Sequence, residues 1–326
     1  MQNTQCLPWY HPSCVLMHTR AEPTHNITQL TPHDIYSYLD SRIYKQDAAK
    51  KAAAMFAWKT LRGIKENMFV IGPSGCGKTE IFRALSEWEP FVDRISIMDA
   101  SNLTISGFKG DKKVESLFDD PVISSGKQVI LVLDEMDKAL TPKVTSTNDD
   151  YAKHIQAEML KPLEGSFITF ERNNSSFQVD THRVNIAMTG AFSQKAAEIV
   201  ESNRGSTIGF NAAPESIQAY SKPITQEDLL EFGVMPEFLG RVQRLVNLEP
   251  ISESDYVQML SERDFSLTER FKSLYGISLH LTPKTRLKIA SDASESNLGI
   301  RGMQNIIQNM IDDVLYNDCT LTEIEF

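Results

Sequence analysis

The sequence predicts an α/β protein: a parallel sheet flanked by helices, followed by a smaller and mostly helical part. Three observations lead there. Short apolar runs alternate with helical patterns from about residue 66 to 250. One of those runs, Met68–Ile71, ends in Gly72-Pro73-Ser74-Gly75-Cys76-Gly77-Lys78-Thr79, which fits the phosphate-loop pattern at every fixed position and opens a helix. Beyond Pro250 the pattern turns to helices.

The elements follow in order. Residues 1–30 are irregular, broken by Pro8, Pro12 and Pro23, and read as an extension. Cys6, His11, Cys14 and His18 lie there at a spacing that matches no standard metal site. Order begins at Thr31-Pro32-His33-Asp34, a helix start with Thr as cap, Pro at the first helical position and an acid at the third. A second helix runs from Asp47 to about Leu61. After the phosphate loop comes a helix through Ser86, then a strand at Ile95–Met98, a loop at Ser101–Asp111 and a helix at Lys113–Phe118. A strand at Val129–Leu133, a helix at Tyr151–Leu163, a hairpin at Phe167–Phe170 and Ser176–Val179, and a strand at Val184–Met188 follow. Helices at Gln194–Glu201, Gln226–Phe232 and Met235–Arg241 surround a long polar loop, Arg204–Pro223, and Leu245–Leu248 is the last core strand. The predicted division is an extension at 1–30, a large domain at 31–250 and a small one at 251–326, with strands at Ser278–Leu281 and around Leu321–Phe326.

The composition, 41% hydrophobic and 23% charged over 326 residues, is that of a folded globular chain. The net charge of −10 speaks against an electrostatic grip on nucleic acid. The four cysteines are scattered and form no C-x-x-C pair, so no disulfide framework is indicated. No apolar run reaches membrane length and the N-terminus has no signal pattern, so the expectation is a cytoplasmic protein without membrane contact.

Chemistry concentrates in two places. Backbone N–H groups of the loop Gly72–Gly77, at the start of a helix, make a cradle for polyphosphate. Lys78 adds a point charge for the outer phosphates and Thr79 offers a hydroxyl to Mg²⁺. The second place is Val129–Glu135, an apolar strand ending in two carboxylates. Asp134 stands where a phosphate-loop enzyme holds its metal, and Glu135 where an ATPase places the base that polarises water. The two runs together predict binding of ATP with Mg²⁺, and hydrolysis.

These motifs and six further stretches resemble the AAA+ ATPases and, within them, the Clp/HslU unfoldases, closest to the ClpX type. TPHDI…DSRIYKQDAAKK is similar to the lead-in that packs on adenine, and GPSGCGKTE and LDEMDK to the nucleotide motifs. SGFKGDKKVESLF resembles a pore loop and its helix, LEGSF with VDTHRVNIAMTGAF the approach to the sensor-1 strand, and RGSTIGFNA a peptidase-docking loop. FGVMPEFLGR ends in an arginine of the kind presented to a neighbouring subunit, and GIRGMQNII resembles a sensor-2 helix. The resemblance covers residues 31–326.

It implies a role for each matching residue. Ile43 and Tyr44 would pack on adenine, although Tyr44 also reads as an ordinary core contact at a helix end. Lys45 stands where the ClpX type commonly has glycine, which bears on the backbone path there. Thr189 would hold the attacking water, Arg241 would act as an arginine finger, and Arg301 would reach back to the phosphates. Gly107, Phe108, Lys109 and Gly110 would grip polypeptide in a pore, with Phe-Lys in place of the family's Tyr-aliphatic pair. Ile208, Gly209 and Phe210 would dock on a ClpP-like peptidase. A site completed by a neighbour's arginine implies a ring, and the family forms homo-hexamers. Residues 1–30 cannot supply the ClpX zinc domain, and the interval from Phe108 to Asp134 is too short for the HslU insertion. Other readings stay open at this point: a stand-alone protein remodeller without a peptidase, a nucleic-acid motor, and a nucleotide-binding scaffold.

Overall fold

The computed structural model describes residues 29–104, 112–143, 150–172, 175–203, 220, 222–261, 271–272, 275–296 and 298–326. Its centre is a five-stranded, all-parallel sheet. The strands are β1 (Asn67–Ile71), β2 (Ile95–Asp99), β5 (Val129–Asp134), β8 (Val184–Gly190) and β9 (Arg244–Asn247), in the order β2-β5-β8-β1-β9. Two small pairs, β3 (Leu103–Thr104) with β4 (Lys112–Lys113) and β6 (Phe167–Arg172) with β7 (Ser175–Asp180), lie outside it. The expected strands form within a residue or two at each end.

Burial explains why these runs are apolar without alternation. In β1, Met68 and Val70 belong to one core, while Phe69 and Ile71 belong to the other. The same division separates Ile130 and Val132 from Val129, Leu131 and Leu133 in β5. Both faces are covered, so every position wants an apolar side chain.

Helices begin where local chemistry caps them. Thr31 and Asp34 form a reciprocal capping box at the start of α1 (Pro32–Asp40), as the sequence leads one to expect. Leu30, just before the predicted start of order, is already packed, 3% exposed, and its carbonyl accepts from Trp58 Nε1 at 3.0 Å. The helices α2 (Asp47–Leu61) and α3 (Lys78–Ser86) have their expected bounds. The expected helix at Lys113–Phe118 is instead a 3-10 turn, Val114–Phe118, whose Val114, Leu117 and Phe118 are buried in the core, so packing over a single turn decides between the two helical hydrogen-bond patterns.

The remaining helices are α4 (Met136–Leu140), α5 (Tyr151–Glu164), α6 (Ser193–Asn203), α7 (Gln226–Phe232) and α8 (Pro236–Leu239). After β9 come α9 (Glu253–Ser261), α10 (Pro283–Ser296) and α11 (Ile300–Asn317), with a parallel pair β10 (Ser278–His280) and β11 (Glu323–Glu325). The core on one face of the sheet continues into this helical C-terminal region through Tyr256, Met303, Ile307 and Ile311. No helix among the described residues is long and apolar enough to cross a membrane.

The order of strands decides where ligands can sit. The chain leaves β1 for β2 on one side, while β9 closes on the other side of β1. A crevice opens beyond the carboxyl ends of strands at such a reversal. The loop after β1 begins there.

Candidate active site

The phosphate loop is shaped by two glycines in the left-handed region, Gly75 at φ 72° and Gly77 at φ 100°. A side chain is poorly tolerated there. At Gly75 a Cβ would also lie 2.3 Å from the Leu298 carbonyl oxygen. Lys78 Nζ donates to the carbonyls of Gly72 and Pro73, both at 2.7 Å, so its ammonium sits under the loop's concavity. Cys76 is buried, its Sγ contacts the Pro73 carbonyl at 2.9 Å, and burial pushes its thiol pKa up. It is therefore a packing residue of the loop and a poor nucleophile.

Asp134 organises the floor of the crevice. Thr79 Oγ1 donates to its Oδ2 at 2.8 Å, Thr189 Oγ1 donates to its Oδ1, and the Glu135 N–H donates to Oδ1 at 3.1 Å. The register makes this possible: Leu133 pairs with Met188 across β5 and β8, which places Asp134 beside Thr189. Thr189 lies inside β8, one residue before its end and fully buried. The strand therefore runs two residues past the predicted end at Met188, because β1 continues alongside and pairs with both Thr189 and Gly190.

Glu135 has φ 58°, a left-handed backbone unusual for a side-chain-bearing residue and the kind of outlier that accompanies functional sites. Its carboxylate pairs with Lys138 at 2.6 Å, and that hydrogen bond raises the Lys138 pKa. Lys138 was not singled out by the sequence reading, although its place in the LDEMDK run was the available signal. Asp137 was missed too: its Oδ2 accepts from the Phe192 N–H at 3.1 Å and holds the turn after β8.

A cavity of about 420 Å³ gathers these groups. It is lined by Ser74–Glu80, Asp134 and Glu135, by Ile43 and Tyr44, by Met259 of α9, and by Ile300 and Arg301 from the start of α11. Neither Arg241 nor Thr189 is among its lining residues. Lys45, where resemblance leads one to expect glycine, takes φ 57°, the left-handed conformation glycine favours.

A family model described as AAA domain (Cdc48 subfamily) matches residues 64–245. The chain belongs to the AAA domain family. A second model, the C-terminal D2-small domain of ClpB protein, matches residues 252–325. The chain is also similar to the ATP-dependent Clp protease ATP-binding subunit ClpX of Porphyromonas gingivalis, 25% identical over 339 aligned positions that cover 91% of this chain and 80% of that protein. It is thus a Clp-type AAA+ ATPase related to ClpX, an enzyme that binds and hydrolyses nucleotide.

Arg241 of this AAA+ ATPase lies apart from the cavity. Arg241 Nη2 pairs with Glu164 at 3.2 Å, and its Nη1 donates to the Glu237 carbonyl at 2.7 Å. Asn67, fully buried in β1, holds both backbones that flank this pair: its Nδ2 donates to the carbonyls of Leu163 at 2.7 Å and Arg241 at 2.9 Å. Gly107, Phe108, Lys109 and Gly110, expected in a pore loop, lie outside the described residues, as do Ile208, Gly209 and Phe210 and the N-terminal Cys6, His11, Cys14 and His18.

Proposed function

We propose that the chain is an ATP-driven protein unfoldase, a cytoplasmic homo-hexamer that threads polypeptide through a central pore for a ClpP-like peptidase. The observation that carries this reading is the separation of Arg241 from a cavity that gathers Lys78, Asp134, Glu135 and Arg301. An arginine of this motif that does not face its own nucleotide is suited to serve a neighbour's, and only a ring supplies every subunit with one. The similarity to a ClpX, named as the ATP-binding subunit of a Clp protease, supports the same reading.

In this reading residues 31–250 are the large nucleotide domain and residues 251–326 the small one. ATP lies with its base at Ile43 and Tyr44 and its phosphates on Gly72–Thr79. The Thr79 hydroxyl and Asp134 carboxylate, 2.8 Å apart, are hard oxygen donors of the kind Mg²⁺ prefers. Mg²⁺ bound there would offset phosphate charge. Glu135 exchanges Lys138 for the attacking water and takes its proton. Thr189 fixes the orientation of Asp134, and Arg301 and a neighbour's Arg241 stabilise charge on the γ-phosphate. Because Arg301 and Lys78 belong to different domains, turnover rotates one against the other. Gly107–Gly110 carry that movement to polypeptide, and Ile208–Phe210 dock on the peptidase.

The test is a Glu135→Gln variant offered a stable fluorescent protein with an unstructured tail. With ATP the parent should extinguish fluorescence, while the variant should assemble, hold the tail and turn over at least about 100-fold slower. Hydrolysis at the parental rate would refute the base. Failure of the variant to retain the tail would refute the unfoldase reading.

A further inference from the structure

Tyr44, which lines the cavity, and the two residues after it each bond to a residue more than 200 positions further along the chain. Tyr44 OH donates to Gln258 Oε1 on α9 at 2.6 Å. Lys45 Nζ pairs with Asp255 at 3.1 Å, also on α9, and with Glu249 at 3.4 Å. The buried Gln46 side chain pairs with the backbone of Glu249 in both directions, donating to its carbonyl at 2.7 Å and accepting from its N–H at 2.8 Å. Lys45 and Gln46 both have positive φ, 57° and 62°. Two adjacent side-chain-bearing residues in that region persist only where the surroundings over-determine them.

We propose that Lys45 is a latch: held between Asp255 and Glu249, it ties the loop bearing Ile43 and Tyr44 to α9 and sets how fast nucleotide leaves the cavity. The inference rests on the placement of nucleotide in this cavity. Ile43 and Tyr44 of the loop and Met259 of α9 line the same cavity. Withdrawing a base from between them requires the loop and α9 to part, and that movement breaks the Lys45 pairs first. Asp255 is a firm anchor. It also accepts from the N–H and the hydroxyl of Ser252, at 2.7 and 2.6 Å, and is mostly buried. Burial works to lower the Lys45 pKa, but the bonds from Asp255 and Glu249 outweigh it and the value rises, so the latch is charged throughout the physiological range.

The experiment is stopped-flow release of mant-ADP from the full chain. Lys45→Ala and Asp255→Asn should each release it about threefold to tenfold faster than the parent. The double variant should be no faster than the faster single one, since both remove one interaction. Raising salt from about 50 to about 500 mM should speed release from the parent more than from Lys45→Ala, narrowing the difference between them. Lys45→Gly suits the left-handed backbone but lacks the ammonium, and should match Lys45→Ala. Parental release in Lys45→Gly, or additive effects in the double variant, would overturn the latch. Undiminished mant-ADP binding by Lys78→Ala would instead overturn the placement of nucleotide, which separates the two failures.

Discussion

The Ile300 N–H donates to the Gly75 carbonyl at 3.1 Å, so the helix that carries Arg301 starts on the phosphate loop itself. The approach is close enough that only glycine fits on either side. A Cβ on Gly299, at φ 65°, would meet three backbone atoms of Gly75 at 2.8 Å. The loop and the C-terminal region thus share one joint at the phosphate end of the cavity.

Gly299→Ala should push α11 off the loop and carry Arg301 with it. Misplacement by about 1 Å can cost about 100-fold in rate. Steady-state ATPase assays should show a loss of that order, and turnover at the parental level would mean that the contact is incidental.

Arg241→Ala should lower turnover of the assembled protein by about 10³-fold or more, in line with the loss of an arginine finger. Nucleotide affinity of the isolated subunit, measured by calorimetry, should stay within error of the parent, because Arg241 does not line its own cavity. A large drop in the isolated subunit's affinity would place the arginine in its own site.

Phe108→Ala should keep most ATPase activity and lose the unfolding of a stable substrate, since its proposed partner is polypeptide. Parallel assays of ATP turnover and of fluorescence loss from a tagged substrate decide this. Equal loss of both activities would make Phe108 a packing residue.

Lys65 lies at the other end of the sheet. Its ammonium donates to the carbonyls of Pro162 and Thr181, both at 3.2 Å, and of Val184. Burial pushes its pKa down to about 7. An unfolded lysine keeps its proton to about pH 10. Between about pH 7 and 10 the unfolded chain therefore binds more protons, and stability rises with pH, by at most about 1.4 kcal/mol per unit. Below about pH 7 both states are protonated and the cost of burying the charge is complete. The melting temperature of the parent, relative to Lys65→Met, should climb from pH 7 to 9.5. A difference independent of pH would show that Lys65 does not titrate in this window.

Much of this molecule could be read from local patterns. The bounds of α2, α3 and α7 coincide with those expected, and Thr31 caps α1 through Asp34 three residues on. Helix caps, glycine-dependent turns and continuous apolar strands depend on neighbours within a few residues, so the chain itself displays them. The phosphate loop was legible for the same reason. The 3-10 turn at Val114–Phe118 was not, because the choice between two helical hydrogen-bond patterns over one turn is made by packing.

What the sequence determined by itself was the family, the parallel sheet and the phosphate-binding loop with Asp134 and Glu135 after the second motif strand. What the tertiary structure decided was who touches whom. Asp134 meets Thr189 because β5 and β8 are neighbours in register, 55 positions apart in the chain. Arg241 faces Glu164 and stands away from the cavity because Asn67 fixes both backbones from inside β1. Tyr44, Lys45 and Gln46 find partners more than 200 positions away. Local preference cannot encode such pairings. They follow from strand order and from the burial of side chains that only the assembled sheet brings together.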